Sequence, residues 1–251
     1  LVVTTRHSSP VTRHYFKMTD SFERVRGVSV LPLFPLPLVL FPGVPLPLHI
    51  FEERYRQMLA DVRAGNNLFG LSYFDLNTAT NTRPPVGHVG CAAEVVESQL
   101  LPDGRSNILT VGLVRYRVVE YVELGEPYLV GRVEFFEDER EDDELLATRA
   151  RQVAELFTRI ARAVRSLNDD RASLPDLPDA EPERLSFLVA AAMELDVEAK
   201  QGLLELRSGA ERLERISTLL AQVVGNYEER ARTHKLAKGN GHSGHHPNLE
   251  E

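Results

Sequence analysis

The first half of the chain alternates between short apolar runs and turn residues. Runs rich in β-branched and aromatic residues are typical of β-strands. The pattern predicts six strands, at residues 28–33, 69–74, 88–100, 108–114, 116–122 and 128–136. Between the third and fourth strands, Pro102-Asp103-Gly104 has the turn chemistry of a hairpin, with Gly104 free to adopt a positive φ. One helix near residues 52–64, closed by Gly65, interrupts the series, so we expect a curled sheet or small barrel.

Residues 31–51 are uncharged and about as long as a membrane span, but they contain six prolines. A spanning helix needs an unbroken backbone ladder over about 20 residues, and each interior proline costs roughly 3 kcal/mol. A membrane span is therefore excluded, and no membrane partner is expected. The pattern instead predicts an extended segment that turns at Pro42-Gly43 and leads into a helix near Glu52.

Residues 137–144 hold seven acidic residues in eight positions and separate β-patterned from helix-patterned sequence. We place a domain boundary near residue 140. Acidic residues here complement the dipole of a helix that starts near Asp143. The apolar residues of this helix recur at helical spacing and form one stripe: Leu146, Val153, Leu156, Phe157, Ile160, Val164 and Leu167.

Three more helices are predicted after a loop at residues 168–179, which contains two prolines. The second helix begins at Pro182, a residue favoured in the first turn. The third is capped by Asp196. The fourth follows Ser208, whose spacing from Glu211 fits a capping box. Four amphipathic helices can cover one another as a bundle.

Neither end of the chain carries the pattern of a folded segment. Residues 1–17 lack the continuous apolar centre of a signal peptide, and Met18 is the expected natural start. We expect residues 1–26 to be a disordered extension and residues 235–251, rich in Gly and His, to be a disordered tail. The histidines of that tail have no fixed geometry for a metal, so no metal or other cofactor is predicted.

Charge and cysteine content narrow the function. The formal net charge of −8 argues against nucleic acid as a partner, because proteins that bind phosphate backbones usually carry a basic stripe. The single cysteine, Cys91, allows no internal disulfide and no Cys-rich zinc site, so the cytoplasm is the expected location. Cys91 lies in an apolar run and is expected to be a small buried hydrophobe.

Several short motifs follow one another in order: residues 31–37 (LPLFPLP), 40–43 (LFPG), 47–52 (PLHIFE), 54–56 (RYR), 87–90 (GHVG), 101–105 (LPDGR) and 200–206 (KQGLLEL). In this order and rough spacing they resemble the Lon substrate-binding domain, over residues 27–230. The resemblance implies an α+β fold in which a PUA-like pseudo-β-barrel with one helix, residues 27–140, precedes a helical bundle, residues 141–234.

The Lon protease joins this domain to an ATPase and to a Ser-Lys proteolytic dyad, so we looked for both in the sequence. The chain has no G-x-x-x-x-G-K-[ST] phosphate loop, and its serines lie in helical patterns without a nucleophile elbow. His49 and His88 show no partner for base catalysis and are expected to be structural. We predict a free-standing domain with no catalytic residues.

The proline-rich segment supplies the apolar candidates for a contact site, because clustered apolar groups that cannot all face inward mark binding surfaces. These candidates are Leu36, Leu38, Phe41, Val44 and Leu46. The alternative is that they line the core. The polar candidates are Glu52, Arg54 and Arg56 at the start of the helix. For these the alternative is an ion pair within the helix, Glu52 with Arg56.

The leading hypothesis is a non-catalytic module that binds unfolded or exposed apolar polypeptide segments, with an adaptor or chaperone-like role in protein quality control. That the bound polypeptide is a substrate of proteolysis is implied only by the resemblance. One alternative is a peptidase-family protein whose ATP-dependent proteolysis needs a separate protease or ATPase partner. A further alternative is RNA binding by the PUA-like barrel, which the acidic charge disfavours.

Overall fold

The computed structural model describes residues 18–74, 83–167, 177 and 180–240. The strands in this part of the chain are β1 (Val30–Leu36), β2 (Pro45–Ile50), β3 (Leu68–Tyr73), β4 (Val89–Leu100), β5 (Ser106–Tyr121) and β6 (Leu129–Phe136). The helices are α1 (Met18–Arg24), α2 (Glu53–Ala64), α3 (Asp143–Leu167), α4 (Pro182–Ala192), α5 (Val197–Glu205) and α6 (Gly209–Asn240). The predicted α+β class is confirmed.

These elements form two compact units. The first contains the described residues up to Arg140 together with Met193–Ser208. The second contains the described residues of Glu141–Ala192 together with those from Gly209 to Asn240. The helix α5 therefore belongs to the first unit, whereas the sequence predicted it within the bundle.

The first unit is built on a six-stranded sheet in the order β2-β5-β4-β3-β1-β6, in which β5 also pairs with β6. That extra pairing closes five of the strands into a ring. The 16-residue β5 makes closure possible because its first half pairs with β2 and its second half with β6. The predicted pseudo-barrel is confirmed.

β5 corrects the prediction of two separate strands at 108–114 and 116–122. Arg115, the residue between the two predicted strands, is buried inside one continuous strand. Its guanidinium donates to the carboxylate of Asp138 and to the carbonyls of Leu204 and Leu206. A buried charge is tolerated in a strand when its donors are satisfied in this way.

β2 was predicted only as part of an extended segment, yet it pairs antiparallel with β5. The Gly112 N–H donates to the Val44 carbonyl at 3.0 Å. The main-chain groups of Val44 therefore face β5. By alternation, the main-chain groups of Pro45, Pro47 and His49 face away from β5. The two prolines therefore cost the ladder no hydrogen bond, which is the position that proline requires in a strand.

The predicted turn before β2 is present, and Gly43 has a φ of 77°. Phe41, which precedes the turn, is buried. Leu36 and Leu40 are buried in a core that contains residues of α2. The core around them consists of Phe34, Leu36, Leu40, Leu48, Ile50, Tyr55, Met58, Leu59, Val62, Phe69, Leu71, Cys91, Ala93, Val95 and Ile108.

A second core of the same unit surrounds Tyr116, which is fully buried. The Tyr116 hydroxyl forms a 2.7 Å hydrogen bond with the Ser72 hydroxyl. Gly70 and Gly90 let the tyrosine ring approach, since a Cβ at Gly90 would lie 2.5 Å from its Cζ. A helix packs beside this core as well: Gln201 of α5 donates to the Val89 carbonyl at 2.9 Å.

Two helices depart from the predicted disorder at the ends. α1 lies within the predicted extension 1–26 and is held by an ion pair between Arg24 and Glu94. α6 continues through Asn240, past the predicted end at residue 234, because helix formers such as Leu236 and Ala237 extend it. Residues 1–17 and 241–251 lie outside the described residues.

The second unit contains α3, α4 and α6, which pack together. α3 begins at Asp143 and α4 at Pro182, as predicted. In its interior, the Arg212 Nε donates to the Ser186 hydroxyl at 2.6 Å, and the guanidinium lies over the Phe187 ring. The predicted loop 168–179 lies outside the described residues, apart from Leu177. Among the described helices, none combines the length and apolar content that a membrane crossing requires.

Candidate functional site

An open groove of about 860 Å³ lies in the first unit, between α2 and the β4–β5 hairpin. It has mixed walls, with guanidinium, amide and hydroxyl groups beside apolar side chains. The α2 wall consists of Glu53, Arg54, Arg56, Gln57, Leu59, Ala60 and Arg63, and the opposite wall of Ser98, Leu100, Gly104, Ser106 and Pro127.

The α2 wall follows from the amphipathic sequence of that helix. Tyr55, Met58, Leu59 and Val62 form its buried stripe and pack into the core. At 3.6 residues per turn, the other positions face outward, and most of them line the groove together with the edge of Leu59. The sequence therefore fixes one wall as a row of long polar side chains on a rigid helix.

The hairpin wall confirms the predicted turn. The Gly104 N–H donates to the Leu101 carbonyl at 2.9 Å, and Gly104 has a φ of 80°. The Nε of Arg105 donates to the Asp103 carboxylate at 2.6 Å. This hydrogen bond, together with the backbone N–H of Arg105, holds the pKa of Asp103 below its usual range. The turn is thus fixed by its own side chains.

Arg56 connects the two walls. A Cβ at Gly104 would lie 2.5 Å from the Nη2 of Arg56, so the guanidinium rests against the glycine backbone. Within the described chain, the Arg56 side chain makes no hydrogen bond or ion pair. Arg63, further along the same face, donates to the neutral side chain of Asn67 at 3.2 Å.

The other predicted polar residues lie at one end of the groove. Glu52 and Arg54 form an exposed ion pair, with 2.9 Å between the Arg54 Nη2 and a Glu52 oxygen. The Arg54 guanidinium also lies over the Tyr55 ring, 4.5 Å from its centroid. The expected alternative, Glu52 paired with Arg56, is wrong because Arg54 takes the glutamate instead.

The structure corrects two of the apolar candidates. Leu36 and Phe41 are buried and cannot touch a partner in this conformation. Leu38, Val44 and Leu46 are partly buried against the core that contains Leu36. The alternative, that this segment lines the core, therefore holds for Leu36 and Phe41. The turn at Pro42-Gly43 accounts for it, because it folds the chain back onto β5.

Sequence reasoning missed the most exposed apolar side chain of the groove. Leu100, at the end of β4, is 74% exposed. Arg63, Gln57 and Ser98 were also missed, although they line the groove with it. The only available signal was the position of Leu100 beside the predicted turn, since the turn places it at the exposed end of the hairpin.

The groups with potential for catalysis lie elsewhere. Burial raises the pKa of the Cys91 thiol to about 12, so it stays protonated and unreactive. Burial lowers the pKa of His88. His49 Nδ1 lies 2.7 Å from the Asn107 side-chain oxygen. Among the described residues, no group of three His, Cys, Asp or Glu side chains is placed to hold a metal ion.

Comparison with known proteins adds a family to this geometry. Residues 30–222 match the sequence model described as the ATP-dependent protease La (LON) substrate-binding domain. A Lon protease of Dictyoglomus thermophilum is 27% identical over 195 residues, which cover 77% of this chain and 24% of that protein. Lon protease 2 of Herpetosiphon aurantiacus is 28% identical over 215 residues, covering 82% and 26%. The chain thus spans about a quarter of the length of these relatives.

Two solved structures share the fold. One is a Lon N-terminal domain protein from Xanthomonas campestris, with a TM-score of 0.53 at 24% identity, covering 75% of this chain and 97% of that one. The other is the N-terminal domain of Mycobacterium avium complex Lon protease, with a TM-score of 0.57 at 16% identity, covering 76% and 98%. At these identities the likeness concerns the fold alone.

Proposed function

This chain belongs to the Lon substrate-binding domain family, and from that membership we propose that it is a non-catalytic module that binds exposed segments of other polypeptides. We further propose that the groove beside α2 is where it binds them. The relatives that the chain matches are proteases. We do not assign their proteolytic activity to the described residues of this chain.

The observation that carries the proposal is the mixed lining of the groove. Its volume of about 860 Å³ falls within the usual range of ligand sites. Leu100 offers an exposed apolar contact, while Arg56, Gln57 and Ser98 offer donors on either side. A short extended peptide presents side chains on alternating faces and backbone carbonyls between them. Its apolar side chains can contact Leu100, and its carbonyls can accept hydrogen bonds from the donors of the groove.

The proposed biological role is that of an adaptor or chaperone-like factor in protein quality control. It would hold a client segment and present it to a separate protease or ATPase. A buried, protonated thiol and no possible internal disulfide suit a reducing compartment, so we place this activity in the cytoplasm.

The proposal is tested by measuring binding to a reduced and alkylated unfolded protein and to a panel of apolar peptides. Calorimetry should detect binding with a negative heat-capacity change, because apolar surface is buried. Leu100→Ser should weaken binding about tenfold through the lost apolar contact.

The matched control is Leu124→Ser. Leu124 is also highly exposed, at 61%, and belongs to the same unit but does not line the groove. It should leave the affinity unchanged. Absence of binding to every probe would refute the module itself, whereas equal effects of the two substitutions would refute the groove as its site.

A further inference from the structure

Two guanidinium groups face the groove from one side of α2. Arg56 and Arg63 are seven residues apart, which is about two helical turns or roughly 10 Å along the axis. Ala60 lies between them on the same wall and leaves room for a ligand to reach both. The spacing is set by the helix and does not depend on flexible loops.

The charges of the groove do not cancel. Three arginines and one glutamate, Glu53, line it. Arg54 is neutralised by Glu52, but Arg56 has no ionic partner in the described chain and Arg63 contacts only a neutral amide. The groove is therefore locally cationic in a chain whose net charge is −8.

From this complementarity we infer that the preferred clients are acidic polypeptide segments, a refinement that rests on the proposed function. The segment carries two carboxylates four residues apart, because side chains at this spacing in an extended chain lie on one face. They are about 13 Å apart at about 3.3 Å per residue, within reach of the two long arginine side chains. A neighbouring apolar residue contacts Leu100. Arginine suits this role because its planar fork donates two parallel hydrogen bonds to one carboxylate.

Gly104 sets the position of the first guanidinium. Its missing side chain allows the Arg56 Nη2 to rest on the turn, at a place where any Cβ would collide with it. The hairpin backbone thus leaves room for the Arg56 guanidinium at the groove.

The test uses the full chain and three peptides that share one apolar anchor. The first carries two glutamates four residues apart, the second glutamines and the third lysines at the same positions. Fluorescence anisotropy at low salt should show the glutamate peptide binding about 3- to 30-fold more tightly than the glutamine peptide. Added salt should reduce this ratio, because exposed charges are screened.

The double variant Arg56→Gln/Arg63→Gln should abolish the preference while leaving the glutamine peptide bound. Arg56→Lys in an otherwise unchanged chain should keep part of the preference, because it keeps the charge. The control is Arg132→Gln, since Arg132 is an exposed, ion-paired arginine of β6 that does not line the groove.

Each outcome separates the two proposals. Equal binding of the glutamate and glutamine peptides, with Leu100→Ser weakening both, overturns the acidic preference and leaves the module standing. Tighter binding of the lysine peptide overturns the preference as well. A single-stranded RNA oligonucleotide that displaces the glutamate peptide and loses affinity in the double variant overturns it in favour of nucleic acid.

Discussion

Arg115 and Asp138 form a salt bridge from which water is almost excluded, with side chains only 2% and 5% exposed. Arg115 also donates to the Leu204 carbonyl at 3.0 Å and to the Leu206 carbonyl. One guanidinium thus connects β5, the segment after β6 and the end of α5. All five of its N–H donors point into protein, where each lost partner leaves a charge in a poorly solvated place.

Removing one member of this pair should be strongly destabilising. Arg115→Met keeps the packing volume but leaves the Asp138 carboxylate buried without its cation. We expect a loss of about 3–5 kcal/mol in the free energy of unfolding, measured by urea denaturation. Arg132→Gln is the control, because its pair with Glu120 is exposed and should cost no more than about 1 kcal/mol. Similar losses in the two variants would contradict a special role for Arg115.

Gly90→Ala should also destabilise the first unit. The new Cβ would lie 2.5 Å from the Leu71 carbonyl oxygen and from the Tyr116 ring, and the backbone oxygen cannot move aside cheaply. Overpacking of this kind typically costs about 1–3 kcal/mol, and thermal or urea denaturation would measure it.

Gly202→Ala provides the opposite control. Gly202 lies inside α5, and a Cβ there would meet nothing within 4 Å. Alanine should therefore raise the stability by up to about 1 kcal/mol, through helix propensity alone. If Gly202→Ala destabilised the protein as much as Gly90→Ala does, the close approach of Tyr116 would not be the cause.

The stability should fall on mild acidification because of His88. Burial lowers the pKa of His88, and the nearby Glu205 only partly opposes this. The unfolded state therefore binds the proton first, so stability is lost as the pH falls through the ordinary histidine range near 6.5. His88→Asn removes this titration. Urea denaturation between about pH 7.5 and 5.5 should give the variant the shallower pH dependence, with the difference below about 1.4 kcal/mol per pH unit. Parallel curves would contradict the prediction.

Local patterns in the sequence predicted most of the fold. The hairpin at Gly104, the start of α3 at Asp143 and the cap of α5 at Asp196 depend on neighbouring residues, and all are present. The errors concern features whose cause is distant in sequence. Arg115 is accepted in a strand because Asp138 lies beside it, and α1 is held because Glu94 pairs with Arg24.

The groove could be predicted only on one side. Arg54 and Arg56 follow from their place on the outer face of α2, which the helical pattern reveals. Leu100 lines the groove only because the hairpin lies beside that helix, a contact between distant segments that no local sequence pattern predicts. Phe41 failed as a candidate for a similar reason, since it is buried beside a turn that is hydrogen-bonded to Gly112 of β5, far along the chain.

The prolines of β2 matter for a protein proposed to hold sticky, unfolded chains. Along the outer rim of that strand, Pro45 and Pro47 present carbonyl oxygens but have no amide hydrogen to offer. Another polypeptide cannot pair with such an edge as an added β-strand, and neither can a second copy of this protein. This edge of the sheet is thus protected against the strand addition through which sheet proteins aggregate.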